Sequence, residues 1–237
     1  MRTRMLTFLA VLALGAVILM PGMAMAYTIN DAVGDSIGYP EYESYGINVL
    51  NFTPGHNSGN ISFQFFTNFP HDGITVDSGG FSWKTIPADL FITAKYGDGS
   101  TYNFAIPLVG HDSFAAGNLY EVSSVKTSDD LDPSHGSAYS YNHGVAVQIA
   151  TGSDFGIAPG SVVWNTLPSP GMPDFQVNLG SNFYENDSSA IWCLSWGTAT
   201  CANDVVQGCV PIPGALLLLG GGLVRLAGYA RRKRSLA

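Results

Sequence analysis

The chain has 237 residues, 46% hydrophobic and only 12% charged, with 18 acidic against 10 basic side chains and a formal net charge of −8. That length allows one domain with a sizeable core once the ends are set aside. The acidic balance, which excludes a role on nucleic acid phosphates, is sharper than the total implies: between Asp31 and Asp204 eighteen acidic residues meet only Lys84, Lys95 and Lys126, leaving −15.

Taken in order, the chain opens with a targeting pattern. Arg2 and Arg4 form a basic start, Leu6–Leu19 is apolar, and Ala24-Met25-Ala26 fits a small-x-small cleavage site. Residues 1–26 therefore read as a cleavable signal peptide and Tyr27 as the mature start. Strand-like alternation follows at Ile61/Phe63/Phe65, Leu90/Ile92/Ala94/Tyr96, Tyr102/Phe104/Ile106/Leu108, Val145/Val147/Ile149, Phe175/Val177/Leu179 and Ala190/Trp192/Leu194/Trp196. Gly79-Gly80, Gly97-Asp98-Gly99, Asn142-His143-Gly144 and Pro168–Pro173 punctuate these runs. The clearest hairpin joins Leu90–Tyr96 to Thr101–Leu108 across Gly97-Asp98-Gly99. Ser123–Tyr141 is polar and weakly periodic, and reads as a long surface loop. The pattern predicts an all-β fold, a single jelly-roll-like β-sandwich over residues 27–209.

Carboxylates suggest a hard cation, because calcium takes six to eight oxygens and tolerates irregular loops. Asp129, Asp130 and Asp132 form the densest acidic cluster. Asp31 and Asp35, at the start of the mature domain, are a second candidate set for Ca²⁺. Neither matches a calcium-loop motif. His56, His71, His111, His135 and His143 lack zinc-ligand spacing. No catalytic residue is assigned. Trp83, Trp164, Trp192 and Trp196, with Tyr39, Tyr42, Tyr45, Tyr139 and Tyr141, are sugar-stacking candidates where exposed. The alternation of Trp192 and Trp196 fits a core face, whereas Tyr139 and Tyr141 in the polar loop are the glycan-stacking candidates carried forward. Cys193, Cys201 and Cys209 are spaced by eight. In an oxidising compartment a disulfide is expected, with Cys193–Cys201 the favoured pairing and Cys201–Cys209 the next.

The chain ends in three parts: Val210-Pro211-Ile212-Pro213-Gly214-Ala215, an apolar run, and the basic tip Arg231-Arg232-Lys233-Arg234. Ile212–Ala230 is 19 residues, about the minimum for a hydrocarbon core of about 30 Å. It holds Arg225 and Gly220-Gly221-Gly222, so the expectation is a transmembrane helix of transient rather than permanent use. This order resembles the PEP-CTERM class of sorting signals in a Val-Pro-x-Pro-Gly-Ala variant, Ile212 standing where the eponymous form has Glu. The resemblance covers residues 210–237. It implies a Gram-negative source, an exosortase-type processing enzyme as partner, transient holding at the cytoplasmic membrane, removal of the tail near Pro211–Pro213, and a place at the cell surface among extracellular polysaccharide.

The resulting expectation is an exported, non-enzymatic cell-surface or matrix protein associated with exopolysaccharide. The alternative is a secreted polysaccharide-active enzyme, whose paired carboxylates need leave no local signature.

Overall fold

The computed structural model describes residues 25–37, 40–52, 61–78, 81–131, 142–155, 161–165, 172–179 and 191–210. These form an all-β domain of antiparallel sheets. One sheet has five strands, β1 (Met25–Asn30), β2 (Ser44–Phe52), β3 (Ile61–Thr67), β10 (Ser161–Trp164) and β11 (Phe175–Leu179), in the order β1-β2-β3-β11-β10. A second has six, β6 (Leu90–Lys95), β7 (Thr101–Ile106), β8 (Tyr120–Thr127), β9 (Ala146–Asp154), β12 (Ile191–Gly197) and β13 (Val205–Val210), in the order β13-β12-β6-β7-β8-β9. β4 (Ile74–Ser78) and β5 (Phe81–Thr85) form a separate hairpin. Within the sheets every pairing joins chain neighbours except β3 with β11 and β12 with β6. Among the described residues the connectivity is thus of meanders joined by crossovers.

Period-2 alternation explains the strands that the sequence made visible. β3, β6 and β11 turn Ile61, Phe63, Phe65, Leu90, Ile92, Ala94, Phe175, Val177 and Leu179 inward. Both larger sheets feed one hydrophobic cluster, to which β12 adds Trp192, Leu194 and Trp196. Trp196 is fully buried. Its indole packs edge-on against Phe65 and Phe175, which stack on each other at 4.3 Å. Its N–H donates to the Ala88 carbonyl at 3.2 Å, so the largest core side chain leaves no orphaned donor.

Several expectations are corrected. Ser123–Thr127, read as loop, is the second half of β8. It escapes detection because Ser123, Ser124 and Val125 are exposed and its register against β9 shifts repeatedly, which erases alternation. A one-turn helix, α1 (Ser128–Leu131), follows. The expected membrane-crossing helix is also corrected: no helix among the described residues is long and apolar enough to cross a membrane. The helical segments described are α1 and the 3₁₀ turn Pro40–Tyr42, each a single turn and far too short for the hydrocarbon core. Residues 1–24 and 211–237, with most of the signal segment and Pro211 onward of the sorting motif, lie outside the described residues. Val210, expected as the motif's first residue, is the buried last residue of β13, opposite Trp192. Met25 and Ala26, placed before the cleavage point, begin β1; its register against β2 shifts between Met25 and Tyr27, where the cut is expected.

The cysteine pairing differs from both expectations. β12 and β13 are antiparallel, and their register sets Cys193 directly opposite Cys209. With Cα atoms 3.9 Å apart the two form the disulfide, and Cys201, in the loop between the strands, stays outside it. Sequence spacing favoured the shorter loop, but a strand pair sets partners by register rather than separation. The bridge spans 16 residues, a closure worth about 3 kcal/mol in the chain-entropy account. Replacing both Cys193 and Cys209 by Ala should cost about that much in denaturant unfolding. Non-reducing peptide mapping should recover the Cys193–Cys209 pair; a Cys193–Cys201 peptide would contradict the register.

Candidate functional site

The loop after β1 carries Asp31 and Asp35, and its backbone is tied in place from two sides. Glu43, itself buried, accepts from the Gly34 amide at 2.5 Å and from Ser36. The Gly34 hydrogen bond is the main reason that the Glu43 carboxyl sits below its usual range. From the other sheet, the Asn203 carbonyl accepts from the Ile37 amide at 2.7 Å, and the Asn203 side-chain amide donates to the Ile37 carbonyl at 2.6 Å. Gly46 makes the entry to this corner possible. It lies opposite Asn30 beside a register shift, with φ 134°, and a Cβ there would sit 2.3 Å from the Ile29 carbonyl oxygen.

This tying brings Asp204, just before β13, onto Asp31 and Asp35. One carboxylate oxygen from each lies within 4.8 Å of the others. Ser44, fully buried at the start of β2, sits among them. Its amide donates to Asp204 Oδ2 at 2.6 Å, and its hydroxyl lies 2.8 Å from that oxygen and 2.6 Å from Asp31 Oδ2. A hydroxyl carries one proton, so it serves one carboxylate at a time. Asp204 Oδ1 accepts from the Val205 amide at 2.8 Å. The cluster opens on a cavity of about 500 Å³, also lined by Asn142, His143 and Gln207.

The electrostatics follow from burial and like charge. Desolvation, joined by the charges of Asp31 and Asp35, pushes Asp204 up to about 6 against the opposing Ser44 hydrogen bonds. Asp31 is raised by the same causes, burial first and the Asp35 charge after it. A group of carboxylates that resists ionisation in this way is one that a cation would relieve, and oxygen-only donors suit a hard cation. The described cluster could therefore hold a cation such as Ca²⁺.

The expected acidic cluster is used otherwise. Asp129 accepts from the Gly144 amide at 2.9 Å and pairs with His143 Nδ1 at 2.7 Å. Asp130 accepts from the Thr127 amide and hydroxyl, which hold its carboxyl below the usual range. Asp132 lies outside the described residues, as do Tyr39, Tyr139 and Tyr141. Of the other aromatic candidates, Tyr42, Trp192 and Trp196 are buried, Trp164 is half-buried and Tyr45 is exposed. Sequence reasoning found Asp31 and Asp35 but missed Asp204 and Ser44; the available signal was an Asn-Asp pair immediately before an apolar-alternating strand.

A second buried charge lies at the start of β6. Asp89, fully buried, accepts from the Ile149 amide at 2.8 Å and pairs through both oxygens with His111 Nε2 at 3.0 Å. Burial raises the Asp89 carboxyl against the opposing His111. Burial alone would lower His111, but its hydrogen bonds and charge pairing with Asp89 and Asp112 outweigh it and the imidazole ends above its ordinary value.

No protein-family model matches the chain, no curated protein is detectably similar to it, and no solved structure matches it.

The raised carboxyls give a signed pH dependence. Asp31 and Asp204 bind protons more tightly folded than unfolded, so their contribution is present below their ordinary pKa of 3.8 and is lost as pH rises above it, for Asp204 through about 6. In EDTA the thermal midpoint should fall over that window. Asp89 and His111 act in the same sense, His111 at pH above its ordinary 6.5. The component that a divalent cation suppresses belongs to the Asp31–Asp204 cluster. A midpoint that rises through this window in EDTA would refute the assignment.

Proposed function

We propose that this chain is an exported, non-enzymatic surface or matrix protein of a Gram-negative bacterium. Its body is a two-sheet sandwich pinned by calcium, and it sits among extracellular polysaccharide. The observation that carries the reading is the set of carboxylates Asp31, Asp35 and Asp204, where the β1–β2 corner meets the start of β13. Oxygens within 4.8 Å of one another fall inside the span of two calcium–oxygen bonds of about 2.3–2.6 Å each. The open cavity leaves room for waters to complete the shell. A small, partly exposed shell of this kind suits the weak class of sites with Kd of about 10⁻⁴–10⁻³ M that extracellular modules use. The targeting pattern at residues 1–26 and the PEP-CTERM-like order from Val210 to Arg234 support the export half of the reading, with an exosortase-type enzyme trimming the chain near Pro211–Pro213. The enzyme alternative is less well supported. Asp31, Asp35 and Asp204 bring one oxygen each within 4.8 Å of the others, an arrangement that suits one shared cation better than the about 5–9.5 Å between carboxyl groups that glycoside hydrolysis uses.

Calcium titration followed by thermal unfolding tests the central claim. With a Kd of about 0.1 mM, calcium at about 1 mM stabilises by about 1.4 kcal/mol, a rise of about 3–6 °C for a domain of this size. Asp35→Asn should abolish the rise while leaving the midpoint in EDTA unlowered, because Asp35 is exposed. The absence of any calcium-dependent shift in the parent protein would sink the reading. Mass spectrometry of protein recovered from its native cells tests the export half: residues beyond about Pro213 should be missing, and an intact Arg231–Arg234 end contradicts processing.

A further inference from the structure

A second cavity, sharing no lining residue with the carboxylate cluster, opens beside the ends of β3 and β10. It is about 350 Å³ and is bordered by Asn68, His71, Trp164, Asn165 and Asp174, at the small end of the roughly 300–1,000 Å³ range of small-molecule sites. Its wall is built by strand pairing. Trp164 is the last residue of β10, opposite Phe175. The Asn165 amide extends the ladder by donating to the Asp174 carbonyl at 2.8 Å. Asp174 is clamped in turn: its amide donates to the Phe65 carbonyl and one carboxylate oxygen accepts from the Thr67 amide, both at 2.8 Å. Asn68 is set by its side-chain N–H donating to the Tyr45 hydroxyl at 2.9 Å. These groups are therefore fixed before any ligand arrives, which reduces the ordering cost of binding.

The chemistry of the wall is mixed. Trp164 stacks on Phe175 at 4.2 Å and meets His71 at 4.6 Å. It is half-buried and lines the cavity. Among the described residues no acceptor is found for its N–H. Around the ring stand two amides, an imidazole and a carboxylate, and among the described residues no Lys or Arg borders the cavity. An anionic ligand would meet Asp174 and the acidic body without a compensating cation. An apolar ligand would strand the carboxylate and amides. A ligand with an apolar C–H face and a rim of neutral hydroxyls satisfies both parts.

We propose that this cavity binds a neutral sugar ring, Trp164 supplying the stacking surface and Asn68, His71, Asn165 and Asp174 the hydroxyl partners. The inference deepens the matrix reading by naming where the body would hold polysaccharide, and it does not depend on calcium.

The test is a titration of the full chain with cellohexaose, chitohexaose and, as a charged control, a hexauronate, read by tryptophan emission and ligand-observed NMR. At least one neutral hexasaccharide should bind, and Trp164→Ala and Asn68→Ala should each weaken it by about tenfold, or about 1.4 kcal/mol. Trp164→Ala removes a ring stacked on the core and endangers folding, so His71→Ala and Asn68→Ala, both exposed, carry the test if that variant fails. No binding of either neutral sugar, tighter binding of the hexauronate, or binding unchanged in the exposed variants would each overturn the inference. Calcium stabilisation and tail processing would remain intact in all three outcomes, so failure here is distinguishable from failure of the matrix reading.

Discussion

One serine hydroxyl between two carboxylates governs the corner on which both sheets converge. Ser44 begins β2 and Asp204 precedes β13, so their hydrogen bonds join the five-stranded sheet to the six-stranded one. The same seam is tight elsewhere: a Cβ on Gly208 of β13 would fall 2.7 Å from the Ile29 side chain of β1. The hydrophobic cluster draws the sheets together at this edge, and the draw forces Asp31, Asp35 and Asp204 into one another's field. Apolar packing would have been easier to satisfy with neutral residues at this corner. Retaining three acids there raises the cost of the cation-free fold and gives a bound cation something to relieve.

What could be read from the chain depended on whether the physics was local. β3, β6, β11 and β12 show in the sequence because each buries one face, and a buried face writes itself as alternation. β8 does not, since Ser123, Ser124 and Val125 all face solvent and its register slips. The candidate site divides in the same way. Asp31 and Asp35 sit on one short loop and are visible as a pair. Asp204 is 173 residues from Asp31 and joins them only through the β12–β13 hairpin docking against β1 and β2. No sequence window contains that information. Asp129 and Asp130 are visible for a local reason too: they sit side by side in the sequence, and nearby donors, the Thr127 and Gly144 amides and His143, meet them.

Charge placement separates two kinds of buried acid at this end of the sheets. Asp89 has a dedicated partner in His111 and an amide donor in Ile149, so it stays paired without any ligand. His111 is held in turn by Asp112, which Lys126 pairs at 2.7 Å. That chain spends one of the three lysines of the body on structure. Asp31 and Asp204 receive no cationic side chain at all among the described residues; their donors are amides and one hydroxyl. The difference leaves the first cluster able to hold a cation and the second already paired by the protein, although burial raises the carboxyls in both.

The β12–β13 hairpin links the carboxylate corner to the end of the domain. Its loop end carries Asp204, and its open end carries the Cys193–Cys209 bridge. Val210, the next residue, is buried against the core opposite Trp192. A cut near Pro211–Pro213 would therefore fall beyond a strand that is already covalently closed and packed. Fraying of β13 from a new terminus would have to break the disulfide before it could reach Gly208, Val206 and finally Asp204. Cys209 thus locks β13 to β12 and insulates the carboxylate corner from a cut beyond Val210.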